Sequence, residues 1–293
     1  MTQAVADLPE PGLRVVLLSS RSVDPFYVRV LDHLFDSSRI AVVGACVDVS
    51  PVRSSVAKLR RDLRRGRGGY VAVKAIRRLL GRDRGAVVDA FSYFGDRRVP
   101  TFRTEDLYAD ETVRFICDCR PDCLVRAGFR IIHEPILHAA PKGVLSFHHG
   151  DIRRYRGIPF GFWELYYGEA EMGVTVQVLK EKIDAGRIVR EMRVPMTRTD
   201  TWRSVRQRAL AGSETLMLEA CLDIADEREP EDVPDEQLGT LYSEPNLRQW
   251  LELQAKVAWR RANAALSHVP RAVVTIEDER RRYDVADHRA PRR

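Results

Sequence analysis

Apolar residues fall along this chain in short blocks, and the blocks alternate between two periods. Residues 13–19 (Leu-Arg-Val-Val-Leu-Leu-Ser) and 40–47 (Ile-Ala-Val-Val-Gly-Ala-Cys-Val) are nearly unbroken apolar runs of strand length. Between them Phe26, Val28, Val30, Leu31 and Leu34 recur at helical spacing, behind Asp24 as a cap and Pro25 in the first turn. A strand, a helix and a second fully apolar strand predict a parallel sheet with helices on both faces. The pattern then predicts an edge strand at 98–102, a helix at 107–119, a strand at 121–128, a helical turn or two at 134–140 and a strand at 143–149. A short helix at 162–167 follows, then strands at 173–179 and 187–194 joined by a tight loop. One long amphipathic helix is expected at 201–226 through Val205, Leu210, Leu216 and Leu222, and a last helix at 247–266.

Two stretches break this rhythm. In residues 51–90, Val56, Leu59 and Leu63 share one helical face and Val73, Ile76, Leu79 and Leu80 another, with Gly66, Gly68 and Gly69 between, so a helical insertion is expected. From about residue 227 the composition turns acidic and proline-containing, which marks a linker. The division is therefore a main unit at 1–232 carrying the insertion, and an extension at 233–293 with one helix and a charged tail expected to be disordered.

Hydrophobic residues are 44% of the chain, enough for a core, and charged residues 31%. No apolar run nears the roughly 18 residues of a membrane span. The first residues lack a basic-then-apolar profile, and the five cysteines are an odd number without a framework spacing. Both suit a reducing cytoplasm. Cys117, Cys119 and Cys123 lack zinc-pair spacing and read as small hydrophobes, so no metal is expected. Residues 51–85 hold twelve Lys or Arg against Asp62 and Asp83, whereas the whole chain is only +6, so the remainder is net acidic. Such a segment could steer a phosphorylated acceptor or lie on an anionic membrane. Only Tyr70 interrupts it, which gives little for stacking on bases.

The chemistry lies in two glycine-bounded turns. His148 ends the 143–149 strand just before Gly150, and Ser146 shares its face, because residues i and i+2 point the same way. Asp184 lies in the tight loop closed by Gly186. A histidine and a carboxylate at the carboxyl edge of an open sheet can polarise a carbonyl and handle a proton. The first strand-to-helix turn has no G-x-G-x-x-G, so dinucleotide binding is unsupported.

His148, Arg156-Gly157, Trp163, Gly168, Gly173-Val-Thr175 and Asp184-Ala-Gly186, in that order, resemble the folate-dependent formyltransferase superfamily. The resemblance covers roughly residues 13–243 outside the basic segment. It implies an open Rossmann-like, mostly parallel α/β sheet of formyltransferase type. It also implies formyl transfer from 10-formyltetrahydrofolate to a primary amine on a small or nucleotide-linked acceptor, such as an amino sugar or glycinamide ribonucleotide. His148 and Asp184 are then the catalytic pair, with Ser146 standing where the family has Asn. Gly128, Phe129, Arg130, Ile131, Ile183, Ala185 and Gly186 would line the folate pocket. His149, Arg156 and Gln177 would face the acceptor, Gln177 standing where relatives often carry a second His, and His149-Gly-Asp-Ile-Arg153 replaces Pro-Ser-Leu-Leu-Pro; strand alternation by itself turns His149 to the face opposite His148, into the packing. Transfer RNA is disfavoured as acceptor, because the family's tRNA enzymes carry a β-barrel after the catalytic unit and residues 233–293 are too few for one. The alternatives are a hydrolase of the same folate, a methionyl-tRNA formyltransferase-like enzyme, and a binding module whose catalysis the Ser146 exchange has impaired.

Overall fold

The computed structural model describes residues 12–50, 60, 64 and 87–266. The helices expected within the basic insertion and the charged tail at 278–293 lie outside them.

The chain opens with β1 (Leu13–Ser20), a two-residue β2 (Ser22–Val23), helix α1 (Pro25–Asp36) and β3 (Ile40–Asp48). Asp24 caps α1, its side chain accepting from the Phe26 N–H at 2.9 Å, and Pro25 occupies the first turn where its missing N–H costs nothing. After the insertion come β4 (Val88–Asp89), α2 (Ala90–Asp96), β5 (Thr101–Thr104), α3 (Asp110–Asp118), β6 (Cys123–Ala127) and β7 (Val144–His148). Then follow β8 (Tyr155–Gly157), α4 (Phe162–Tyr167), β9 (Glu171–Val178), β10 (Arg187–Pro195), α5 (Trp202–Gly212), α6 (Leu216–Ala225), β11 (Thr240–Tyr242) and α7 (Leu247–Leu266).

Seven strands form one sheet in the order β10-β9-β7-β6-β1-β3-β5. The five from β5 to β7 run parallel; β9 and β10 are antiparallel, as a hairpin must be. The chain leaves β1 toward β3 on one side and later returns to β6 on the other, so a topological switch point lies between β1 and β6. Strand alternation sorts the core into two faces. Leu13, Val15 and Leu17 join Val125, Leu145 and Phe147 under α1, α5 and α6. Val16 and Leu18 join Leu124 and Val144 under α3 and the 3₁₀ turn Ile136–His138.

The single helix expected at 201–226 is two helices. Thr201 caps α5 through a reciprocal box with Ser204, and α5 stops at Gly212-Ser213, where poor helix formers meet and the Ser213 N–H turns back to the Leu210 carbonyl. The break lets α6 reorient and bury Leu216, Met217, Ala220, Cys221 and Ile224. A second small sheet pairs β8 with β11, and nothing in the hydrophobic pattern announces it.

Candidate active site

β6 and β7 end side by side next to the switch point, and their register aligns Arg126 with Ser146. β9 lies antiparallel on the other side of β7, with Gln177 opposite Ser146 and Thr175 opposite His148. Arg126, Ser146, His148 and Gln177 therefore share one face, and Phe147 points to the other.

His148 is 6% exposed. Its Nδ1 lies 3.3 Å from Asp184 Oδ1 and its Nε2 2.9 Å from the Tyr155 carbonyl oxygen. Burial alone would discharge the ring, but the hydrogen bond and charge of Asp184, with the Tyr155 carbonyl, outweigh it and raise the His148 pKa. Burial likewise opposes the Asp184 charge. His148, the Gly157 N–H (2.9 Å to Oδ2) and Arg156 overcome that and hold the carboxyl below its ordinary range. The two directions agree on an imidazolium and a carboxylate. Asp184 is the more open member, its side chain 23% exposed. It adopts φ 49°, a conformation a non-glycine residue holds only under restraint from its surroundings.

That restraint comes from three residues around the loop. Arg156 donates from Nη2 to the Ile183 carbonyl (2.8 Å) and from Nη1 to the Gly239 carbonyl (3.3 Å). Gln177 Oε1 accepts from the Gly186 N–H (2.8 Å). Gly157 allows β8 to pass β11: at φ +89°, an added Cβ would lie 2.0 Å from the Tyr242 oxygen. Arg156 and Gln177, expected to face an acceptor, are buried, and the Arg156 Nη groups and Gln177 Oε1 hold the Asp184 loop.

His149 points into packing, on the strand face opposite His148. Its ring stacks on Phe147 (5.4 Å between centroids) and on Phe160 (4.6 Å), with Phe26 at its edge. Burial, reinforced by the His148 and Arg206 charges, lowers its pKa to about 3, so it is neutral and its Nε2 is without a partner. Phe129 buries its ring in the second core face and offers the site only its carbonyl. Arg130 pairs with Asp48 at 2.6 Å. Of the residues expected around a folate, Ile131 (55% exposed) and Ile183 (46%) present open apolar side chains, one from each loop bordering the pair. Ala185 and Gly186, in the same loop as Ile183, are buried.

Three groups at the site escaped the sequence reading. Arg126 had a signal, a lone charge inside the apolar run Cys123–Ala127. The Tyr155 carbonyl had none. Glu164 is buried, which pushes its carboxyl up to about 7 against the pull of backbone N–H groups and the His148 charge. Among the described residues no three His, Cys, Asp or Glu side chains gather as a metal site, and no helix is long and apolar enough to cross a membrane.

This arrangement can be set beside known proteins. A methionyl-tRNA formyltransferase of Bacteroides fragilis is 25% identical over 147 residues, covering 50% of this chain and 45% of that relative. The chain thus spans about half the length of the curated relatives it matches. A phosphoribosylglycinamide formyltransferase structure from Anaplasma phagocytophilum superposes with TM-score 0.54 at 18% identity, over 80% of this chain and 97% of that one. A formyltetrahydrofolate deformylase structure from Pseudomonas syringae gives TM-score 0.54 at 16% identity, over 80% and 66%. The model of the family described as formyl transferase matches residues 72–221, more than half of the chain and the span that holds β6, β7, His148 and Asp184. The chain belongs to the formyl transferase family.

Proposed function

We propose that this protein moves a formyl group from 10-formyltetrahydrofolate to the primary amine of a small or nucleotide-linked acceptor. The observation that carries the reading is the ion pair of His148 and Asp184, 3.3 Å apart at the carboxyl edge of β7 beside the switch point.

The amine nitrogen attacks the formyl carbon and the π electrons move to the formyl oxygen. The tetrahedral species then collapses, the bond to N10 of the folate breaks, and N10 takes the proton that the attacking nitrogen gave up, passed on by the Asp184 carboxylate directly or through water. The attacking nitrogen must lose a proton on the way. Asp184, ionised and partly open, is suited to receive it, directly or through water, and His148⁺ keeps that carboxylate charged until then. The loops holding Ile131 and Ile183 flank the pair with apolar side chains suited to a flat pteridine, and the backbone at Gly128 and Arg130 belongs to the first of these loops. Membership of the family supports the donor class. The acceptor class rests on the phosphoribosylglycinamide neighbour, the methionyl-tRNA relative pointing to a larger one.

The test is to incubate the protein with 10-formyltetrahydrofolate and a panel of amines that includes glycinamide ribonucleotide, nucleotide-linked amino sugars and aminoacylated tRNA. Tetrahydrofolate formed only with a matching small amine supports the proposal. Formation with water alone makes the protein a hydrolase, formation with charged tRNA alone moves the acceptor class, and folate binding without turnover makes it a binding module.

A further inference from the structure

We propose that Arg126 supplies a cationic hydrogen-bond donor for the formyl oxygen, in a site where the Ser146 hydroxyl is already engaged. The proposal rests on the formyl-transfer reading above.

An imidazolium has two N–H groups. On His148 one faces Asp184 and the other the Tyr155 carbonyl, so pointing either at a substrate oxygen would break a buried contact. Ser146 has one hydroxyl proton, and it faces the Phe147 carbonyl at 3.2 Å. The Ser146 oxygen accepts from Arg126 Nη1 at 3.2 Å. A guanidinium has five N–H donors in a fixed plane. Arg126 spends Nε on the Arg130 carbonyl (3.0 Å), one Nη2 proton on the Phe129 carbonyl and one Nη1 proton on Ser146. Two donors remain, one on each terminal nitrogen.

Position and charge agree with the count. Arg126 lies on the same sheet face as Ser146 and His148, at the same strand edge, and is close enough to Asp184 for the two charges to attract. Burial lowers its pKa, but from a value so high that the side chain remains a cation. Its backbone-directed arms also hold the 128–131 loop, which fixes the guanidinium plane before substrate arrives. A preset, partly desolvated cation at a developing oxyanion stabilises it without reorganisation at the moment of reaction. In the step described above, the oxygen that gains the π electrons on attack would be held by the two remaining Arg126 N–H groups, and it returns the electrons when the N10 bond breaks. A serine beside Arg126 leaves room for the guanidinium where a carboxamide would compete for the same space.

A purely structural role, stapling the loop, predicts something different, and the experiment separates the two. Arg126→Gln, Ser146→Asn and the double variant are assayed for kcat and KM with whichever acceptor the wild type uses, alongside equilibrium folate binding and thermal unfolding. We expect Arg126→Gln to lower kcat by about 10²–10³-fold while the folate dissociation constant changes by less than about fivefold. We expect Ser146→Asn to recover at least about tenfold of that loss in the double variant, by returning a donor, yet to slow the wild-type background. Free guanidinium should also raise the rate of Arg126→Ala. Unchanged kcat in Arg126→Gln overturns the proposal. So does a loss confined to folate affinity or stability that neither Asn at 146 nor guanidinium repairs. If Arg126→Gln does not fold, Arg126→Lys carries the test: a kcat equal to wild type would show that the planar donor pair is not used. A wild type that turns over with no dependence on Arg126 removes this proposal alone, whereas a wild type inert toward every amine and water removes the formyl-transfer reading with it.

Discussion

His148 and His149 are neighbours in sequence and opposites in chemistry. His148 ends β7 on the face shared with Ser146 and Arg126, meets a carboxylate and a carbonyl, and is held as a cation. His149 turns into the aromatic stack of Phe26, Phe147 and Phe160 and is held neutral, its pKa near 3. His148 is buried and His149 half-buried, and the more deeply buried ring is the one held charged, so burial cannot be what separates them. The difference is the partner: desolvation penalises the charged ring in each case, and only His148 has an anion to offset it. One face of the sheet edge is therefore a charged, hydrogen-bonded site and the other a packed wall.

Perturbing each face in turn can break or sharpen that contrast. The largest effect is expected on the charged face, where His148→Ala and Asp184→Asn should each lower turnover by at least roughly 10²-fold in steady-state assays. An active double variant would contradict the assignment of this face.

Glu164 tests the same electrostatics through stability. Its folded pKa of about 7 lies above the carboxyl's ordinary 4.5, so the folded protein keeps this proton over a range where the unfolded chain has lost it. Stability from this group therefore falls as pH rises from about 4.5 to 7 and is level above. Glu164→Gln should flatten that decline, by an amount on the order of 3 kcal/mol between pH 4.5 and 7 in urea titrations. Parallel wild-type and variant profiles would mean the carboxyl is not held protonated.

On the packed face the effects should be smaller and of another kind. His149→Ala opens a cavity beside Phe147 and Phe160 and should cost about 2 kcal/mol in chemical denaturation. His149→Phe keeps the ring, removes the unpartnered Nε2, and should leave stability within about 1 kcal/mol of wild type. It should also leave kcat within about threefold, far short of what loss of an oxyanion donor costs. A large loss of kcat there would return His149 to the acceptor site.

The legible and illegible parts of this site divide along sequence distance. The strand run 143–149, its alternation and the glycine-closed Asp184 loop could be read directly, because they are local patterns of period two and of turn chemistry. Arg156 and Gln177 were legible as polar residues near the site, but their work on the loop around Asp184 depends on carbonyl and amide groups at Ile183, Gly239 and Gly186. The split of the 201–226 helix hinges on Gly212-Ser213, where weak propensity yields to what α6 gains by burying its own face.

By itself the sequence determined which residues alternate across the sheet, which end of β7 carries the histidines, and that a carboxylate follows in a tight turn. Those are properties of a few neighbouring residues and of hard-sphere backbone geometry. Only the tertiary structure decided which ring would be charged, which arginine would reach the site, and which polar side chains would serve the loop instead of a ligand. Charge state and hydrogen-bond partner depend on what desolvates a group and what faces it. For His148 the decisive partner is Asp184 in the loop after β9, and for Arg126 it is Ser146 on the neighbouring strand, both brought in only when the sheet forms.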